Sequence, residues 1–116
     1  MSRHFVPGRG DIIWLNFDPQ AGHEQAGRRP AVVLSVKTYN ARTGLCIVCP
    51  VTSRIKGYPF ESRLPDDLSI SGAALSDHVR SVDWKARKAS FISHGSADLT
   101  QQILTKLSAI LFSDEA

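Results

Sequence analysis

Apolar residues in this chain come in short, β-branched runs, and only the C-terminal segment carries helical spacing. Ala31-Val-Val-Leu-Ser35 and Leu45–Val51 are nearly continuous apolar runs, as expected of central strands covered on both faces. Asp11–Phe17 reads as a strand behind the turn-forming Gly8 and Gly10, although the Ile12-Ile13 doublet interrupts its alternation. Pro30 lacks an N–H and is expected only at the start of the strand that follows it. Tyr39–Gly44 reads as a turn or one helical turn, and Glu61–Leu64, Ala73–Val82 and Ala89–Ser93 are further strand candidates. One helix is convincing: Ser96 can cap it, Asp98 complements its dipole, and Leu99, Ile103, Leu107, Ile110 and Leu111 form one stripe expected to pack on the sheet. The pattern predicts a mainly β, α+β fold: five to seven short strands in a small, strongly bent antiparallel sheet or SH3-like barrel, with a C-terminal helix. At 116 residues the chain suffices for one compact domain and falls short of two, so residues 1–116 are expected to form a single unit.

With 42% hydrophobic and 22% charged residues, a disordered tail is ruled out. No run of about 18 apolar residues suggests a membrane span. Met1–Gly10 holds Arg3 and Arg9 but no apolar stretch, so no secretory leader is expected and the cytoplasm is the expected compartment. Charge is unevenly spread. Residues 1–60 hold eight Lys/Arg against three acids, a balance of +5, and residues 61–116 hold six against eight, a balance of −2. A basic first half permits a polyanion partner such as RNA or DNA without demanding one.

Cys46 and Cys49 stand in a Cys-x-x-Cys spacing that invites a zinc or redox reading. The surrounding segment is a strand, where residues three apart point to opposite faces with Cα atoms roughly 10 Å apart. A disulfide needs less than about 7 Å. His78 and His94 offer no second ligand pair, so two small buried thiols and no metal are expected.

Asp18–Arg29 breaks every pattern: Pro19, Gly22 and Gly27 punctuate it, and His23, Glu24, Gln25, Arg28 and Arg29 fill it. Loops of this length between strands are uncommon and are often functional. Beyond the second buried strand, Thr52 and Ser53 bring two hydroxyls next to Arg54 and Lys56. These groups suit phosphodiester cleavage. A ribose 2′-hydroxyl must lose a proton, to a carboxylate or histidine; the pentavalent centre needs its charge stabilised; and the 5′-oxygen needs a proton as it leaves. Arginine fits the second task through its planar, always charged fork. The competing reading is a charged loop that is merely solvated, although Pro30 fixes Arg29 between loop and strand. Trp14, Phe17 and Phe60 can stack on bases or fill the core, and Tyr58 is open to either use.

Gly10-Asp11-Ile12-Ile13-Trp14, Phe17-Asp18-Pro19, Gly22-His23-Glu24-Gln25, Gly27-Arg28-Arg29-Pro30 and Val33-Leu34-Ser35 together resemble the N-terminal signature of the MazF/PemK/Kid family of toxin endoribonucleases. The likeness continues through Cys49-Pro50-Val51-Thr52, Lys56-Gly57-Tyr58-Pro59-Phe60, Gly72-Ala73-Ala74-Leu75-Ser76-Asp77, Arg80-Ser81-Val82 and Trp84-Lys85-Ala86-Arg87, spanning roughly residues 3 to 112. The resemblance implies a homodimer of CcdB/PemK-type barrels that cleaves single-stranded RNA at short motifs. No cofactor or metal would be used, and the products would be a 2′,3′-cyclic phosphate and a 5′-hydroxyl. It also implies an acidic, partly disordered MazE-like antitoxin. Carried over by position, Arg29 serves as acid and charge stabiliser, Thr52 holds the phosphate, and Glu24 is the base or orients Arg29. From the residue types themselves, Trp14, Phe17, Arg28, Ser53, Arg54, Lys56 and Arg87 are the candidate RNA contacts. In the Kid branch an Arg and an Asp act with a loop His; here His23 and Asp77 stand at the matching positions, but Leu75 replaces the Arg. Glu24 is therefore ranked first as base, and Asp77 with His23 second. Two other classes compete: a CcdB-like gyrase poison and a noncatalytic nucleic-acid module. The gyrase reading expects an apolar C-terminus, whereas this chain ends Ser113-Asp-Glu-Ala116.

Overall fold

The computed structural model describes residues 5–18 and 22–114. Among the described residues there are seven strands: β1 (Asp11–Asn16), β2 (Arg28–Val33), β3 (Leu45–Thr52), β4 (Glu61–Arg63), β5 (Ala73–Leu75), β6 (Arg80–Asp83) and β7 (Ser90–His94). Helix α1 (Lys37–Thr43) joins β2 to β3, α2 (Ala97–Phe112) ends the fold, and a single 3₁₀ turn, Ser76–His78, separates β5 from β6. The antiparallel sheet runs β4-β5-β3-β2-β1-β7, and β6 pairs with the first half of β3, whose far end pairs with β5. The barrel expectation needs correction on one point. Among the described residues no ladder joins β4 to β7, so the sheet is bent but open.

Alternation along the strands divides the core. Ile12, Val32, Cys49 and Val51 face one side with Leu99 and Ile103 of α2, while Ile13, Leu15, Phe17, Val33, Cys46 and Val48 face the other with Val82 and Trp84. The Ile12-Ile13 doublet thus serves a strand buried on both faces. Cys46 and Cys49 are free and buried on opposite faces, as the strand reading requires. Helix α2 starts where expected, the Ser96 hydroxyl accepting the Leu99 N–H at 3.0 Å. Burying Leu99 and Ile103 contributes about 1.5–3 kcal/mol each. The stripe expected on α2 runs out beyond Leu107, and Ile110, Leu111 and Phe112 are exposed.

Three boundaries differ from the sequence reading. Helix α1 spans two turns because buried Asn40 ties it down: the Ser35 hydroxyl donates to Asn40 Oδ1 (2.5 Å), and Asn40 Nδ2 donates to the Pro7 and Ser35 carbonyls. Ala73–Val82 is broken by the 3₁₀ turn rather than continuous. Strand β2 starts at Arg28, so Pro30 lies inside it, opposite Trp14 on β1. On the other side the β2–β3 ladder stops at Ala31 and Pro50, where neither Pro30 nor Pro50 has an N–H to offer.

Candidate active site

Beyond the end of that ladder Arg29 reaches the β3 backbone one residue from Thr52. Ala31 pairs with Pro50; continuing the antiparallel register by two residues sets Arg29 opposite Thr52, on the face that carries Phe17. Side-chain bonds replace the missing ladder. Arg29 Nε donates to the Ala26 carbonyl at 2.8 Å and Nη1 to the Val51 carbonyl at 3.4 Å. The half-buried guanidinium is thereby held at the seam between β2 and β3. Thr52 is buried, and its Oγ1 accepts the Arg54 N–H at 3.1 Å, which leaves the hydroxyl proton free to donate. Close approach at Gly72 fixes the Thr52 backbone from the other side. A Cβ there would lie 2.3 Å from the Thr52 carbonyl oxygen.

The neck of the loop between β1 and β2 is closed by Gly27 N–H donating to Asp18 Oδ1 (2.8 Å) and Phe17 N–H donating to the Gly27 carbonyl (2.9 Å). Beyond this neck His23, Glu24 and Gln25 overhang a recess of about 370 Å³, floored by Phe17 and Pro50 and walled by Asp77, His78, Val79 and Arg80. A second recess of about 250 Å³ adjoins it, sharing His23, Gln25, Asp77 and His78 and adding Thr52, Arg54, Lys56, Tyr58, Phe60 and Glu61. Its rim loop is pinned from inside, because the Glu61 carboxylate accepts the N–H groups of Lys56 (3.0 Å) and Gly57 (2.8 Å). These backbone donors, the Lys56 N–H foremost, hold the Glu61 carboxyl below the usual carboxylate range. Lys56 Nζ stands 5.7 Å from the centre of the exposed Tyr58 ring.

Of the residues singled out from sequence, Glu24, His23 and Asp77 gather at the first recess, and Thr52, Arg54 and Lys56 at the second. Ser53 is exposed beside Thr52. Several expectations need correcting. Phe17 is fully buried, so it cannot stack on a base; it is core. Glu24 does not orient Arg29 but pairs with Arg80, Oε1 to Nη1 at 3.9 Å. Arg28, one residue from Arg29 in the same strand, points to the opposite face, where its Nη2 donates to the Lys88 carbonyl and Ser90 Oγ. Arg87 lies outside both recesses and spends Nη1 on the Asn16 and Asp18 carbonyls, bracing the loop's neck. Trp14 is half-buried and lines neither recess. Sequence reasoning gave no role to Arg80, which stands over the Phe17 ring at 5.6 Å, nor to His78 and Gln25. Burial pushes both thiols up to about 12, with Asp77 adding repulsion at Cys49, so neither is a nucleophile here.

Two adjoining recesses on a small bent sheet thus gather a buried hydroxyl, carboxylates, imidazoles and the cations Arg54, Lys56 and Arg80, while Arg29 lines neither and stands at the seam beside Thr52, a set of groups suited to handling a phosphodiester. Comparison with known proteins narrows the class. Residues 8–111 match the model of the PemK-like, MazF-like toxin of type II toxin–antitoxin systems. The chain is 44% identical over 111 residues to the endoribonuclease toxin MazF of Escherichia coli K12, covering 96% of this chain and 99% of that protein. The crystal structure of MazF from Deinococcus radiodurans superposes with a TM-score of 0.90 at 54% identity, over 92% of this chain and 97% of that one. A chain of a MazE–MazF crystal structure from the same organism gives 0.83 at 47% identity, over 93% and 97%. This chain belongs to the PemK-like, MazF-like toxin family of type II toxin–antitoxin systems.

Proposed function

We propose that this protein is a toxin endoribonuclease that cuts single-stranded RNA by internal transesterification at the seam between β2 and β3. The observation that carries the reading is the Arg29 guanidinium, fixed by two backbone carbonyls on the strand position facing Thr52. Glu24 takes the proton of the ribose 2′-hydroxyl, with Asp77 and His23 the second candidate for base. The 2′-oxygen then bonds to phosphorus, and the bond from phosphorus to the 5′-oxygen breaks. Arg29 offsets the charge of the pentavalent centre and gives the departing 5′-oxygen its proton, which is restored as the protonated base returns its own to solvent. The Thr52 hydroxyl donates to a nonbridging oxygen. The products are a 2′,3′-cyclic phosphate and a 5′-hydroxyl, and no step assigns work to a metal or cofactor.

Recruitment of RNA falls to Arg54 and Lys56 on the rim and to Tyr58, whose exposed ring offers a base a stacking surface. The basic rim formed by Arg54 and Lys56 suits an acidic peptide, and a MazE-like antitoxin is the partner proposed for it, in line with the Deinococcus MazE–MazF structures. A homodimer, a single toxin domain over residues 1–116 and action in the cytoplasm complete the proposal. No helix among the described residues is long and apolar enough to cross a membrane.

The test is cleavage of a defined single-stranded transcript in EDTA, with 5′ ends mapped. Arg29→Ala is expected to lose at least about 100-fold in cleavage rate, and Arg29→Lys, which keeps the charge but not the fork, is expected to recover little. Full cutting by a folded Arg29→Ala protein would remove the proposed centre.

A further inference from the structure

Resting on the ribonuclease reading, we propose that Arg80 is a second phosphate-binding station on the RNA track, and that a backbone phosphate and Glu24 compete for its guanidinium. Arg80 opens β6 and pairs with Val48 of β3. Directly opposed residues share a face, so Arg80 lies on the face that carries Arg29 and Thr52. Val48 and Thr52 are four residues apart, about 13 Å along β3, with Pro50 between them on the recess floor. The two guanidiniums have separate anchors: Arg29 on the Ala26 and Val51 carbonyls, Arg80 on the Phe17 ring. An extended polyanion lying across Pro50 therefore meets two cationic stations in succession.

Arg80 is built to exchange partners. Its ring support is fully buried, and a guanidinium resting on an aromatic face keeps its N–H edge for a planar acceptor. Its present acceptor is held loosely. The Glu24 carboxylate stands 3.9 Å away, both side chains are partly exposed, and charge-assisted bonds of full strength are about 2.7–2.9 Å long. A pair of that kind is weak, and a phosphate bound bidentately replaces it. The exchange has a catalytic consequence, because a carboxylate released from Arg80 is free to turn to the 2′-hydroxyl. Binding of one phosphate thus delivers the base for cleavage at its neighbour.

The experiment measures binding of a single-stranded RNA carrying 2′-O-methyl groups, which cannot be cut, at several salt concentrations; cleavage of the unmodified RNA by the parent protein is followed in parallel. Arg80→Gln is expected to weaken binding at least about tenfold and to reduce the salt slope by about 0.7, with Arg80→Lys keeping the slope. Glu24→Gln is expected to bind a few-fold tighter than the parent while cutting more slowly, and that gain should shrink when Arg80→Gln is added. Thermal melts check that each variant folds, and Arg80→Met, which keeps an apolar stem over the Phe17 ring but removes the charge, carries the same expectations should Arg80→Gln fail to fold. Unchanged affinity and slope in Arg80→Gln, or the same Glu24→Gln gain with and without Arg80, would overturn the exchange and leave the ribonuclease reading intact. A parent protein that neither binds nor cuts RNA would remove both.

Discussion

Gly72 sits at φ +132°, outside the range that L-residues adopt readily, and a methyl group there would lie 2.3 Å from the Thr52 carbonyl oxygen and 3.1 Å from both Thr52 C and Val51 Cγ1. The segment cannot simply swing away, because the Gly72 carbonyl accepts the Leu64 N–H at 3.0 Å. Gly72→Ala therefore combines backbone strain of about 1–3 kcal/mol with overpacking of about 1–3 kcal/mol. The sum, roughly 2–6 kcal/mol, is a large part of the stability of an ordinary domain and corresponds to a drop in Tm of about 8–24 °C. Relief of the clash must also push the Thr52 backbone, and a displacement near 1 Å at a positioning group costs about 100-fold in rate. Gly57→Ala is the control. It too has positive φ (+80°), but nothing lies within 4 Å of its Cβ position, so strain of about 1 kcal/mol is all it should show. Urea unfolding and cleavage below the Tm of each variant measure both effects. Gly72→Ala within about 0.5 kcal/mol of the parent, with unaltered cleavage, would refute the argument that this contact sets the position of Thr52.

Glu61 supplies a pH dependence. Its folded-state pKa lies below the ordinary carboxylate value because Lys56 and Gly57 N–H groups bind the ionised form. Its contribution is fully present above the ordinary value and is lost as pH falls through the depressed one. The stability difference between parent and Glu61→Gln should therefore be largest near neutrality and vanish in acid; a difference independent of pH would contradict it. Cys46 and Cys49, buried and pushed up to about 12, should resist a thiol reagent at pH 8 in the native protein and react fully in denaturant. Fast labelling of the native protein would show that β3 opens.

How much of this was legible in the residues follows from the range of the forces involved. Strand β1 and helix α2 are local matters, the one set by branched and aromatic residues and the other by a cap and a 3.6-residue repeat, and both lie where the pattern predicts. The opposite faces of Cys46 and Cys49 follow from period two alone. Helix α1 has no side-chain N-cap and no acid in its first turn; the contacts of Asn40 with Pro7 and Ser35 hold it, and no window of sequence displays those. The 3₁₀ turn after Leu75 interrupts a stretch read as one strand, and it falls on Ser76-Asp77-His78, where the Asp is a poor strand former. That turn carries Asp77 and His78 into the recesses.

At the site, the loop residues were visible because polar and glycine-rich segments between apolar runs have no structural use for a histidine and a carboxylate. Phe17 continues the Ile13, Leu15 alternation into the core, a signal present in the strand pattern itself, whereas the polar, glycine-rich composition of Asp18–Arg29 masks that Arg28 belongs to a strand in which neighbours face apart. Arg80 is a different case. It meets Glu24, 56 positions earlier in the chain, only because β6 pairs with β3 in the register that puts Arg80 beside Val48. A shift of one residue would turn Arg80 away from Phe17 and leave Glu24 with no cation to hold it. The ion pair that holds Glu24 is thus governed by a sheet register that leaves no trace in the loop itself.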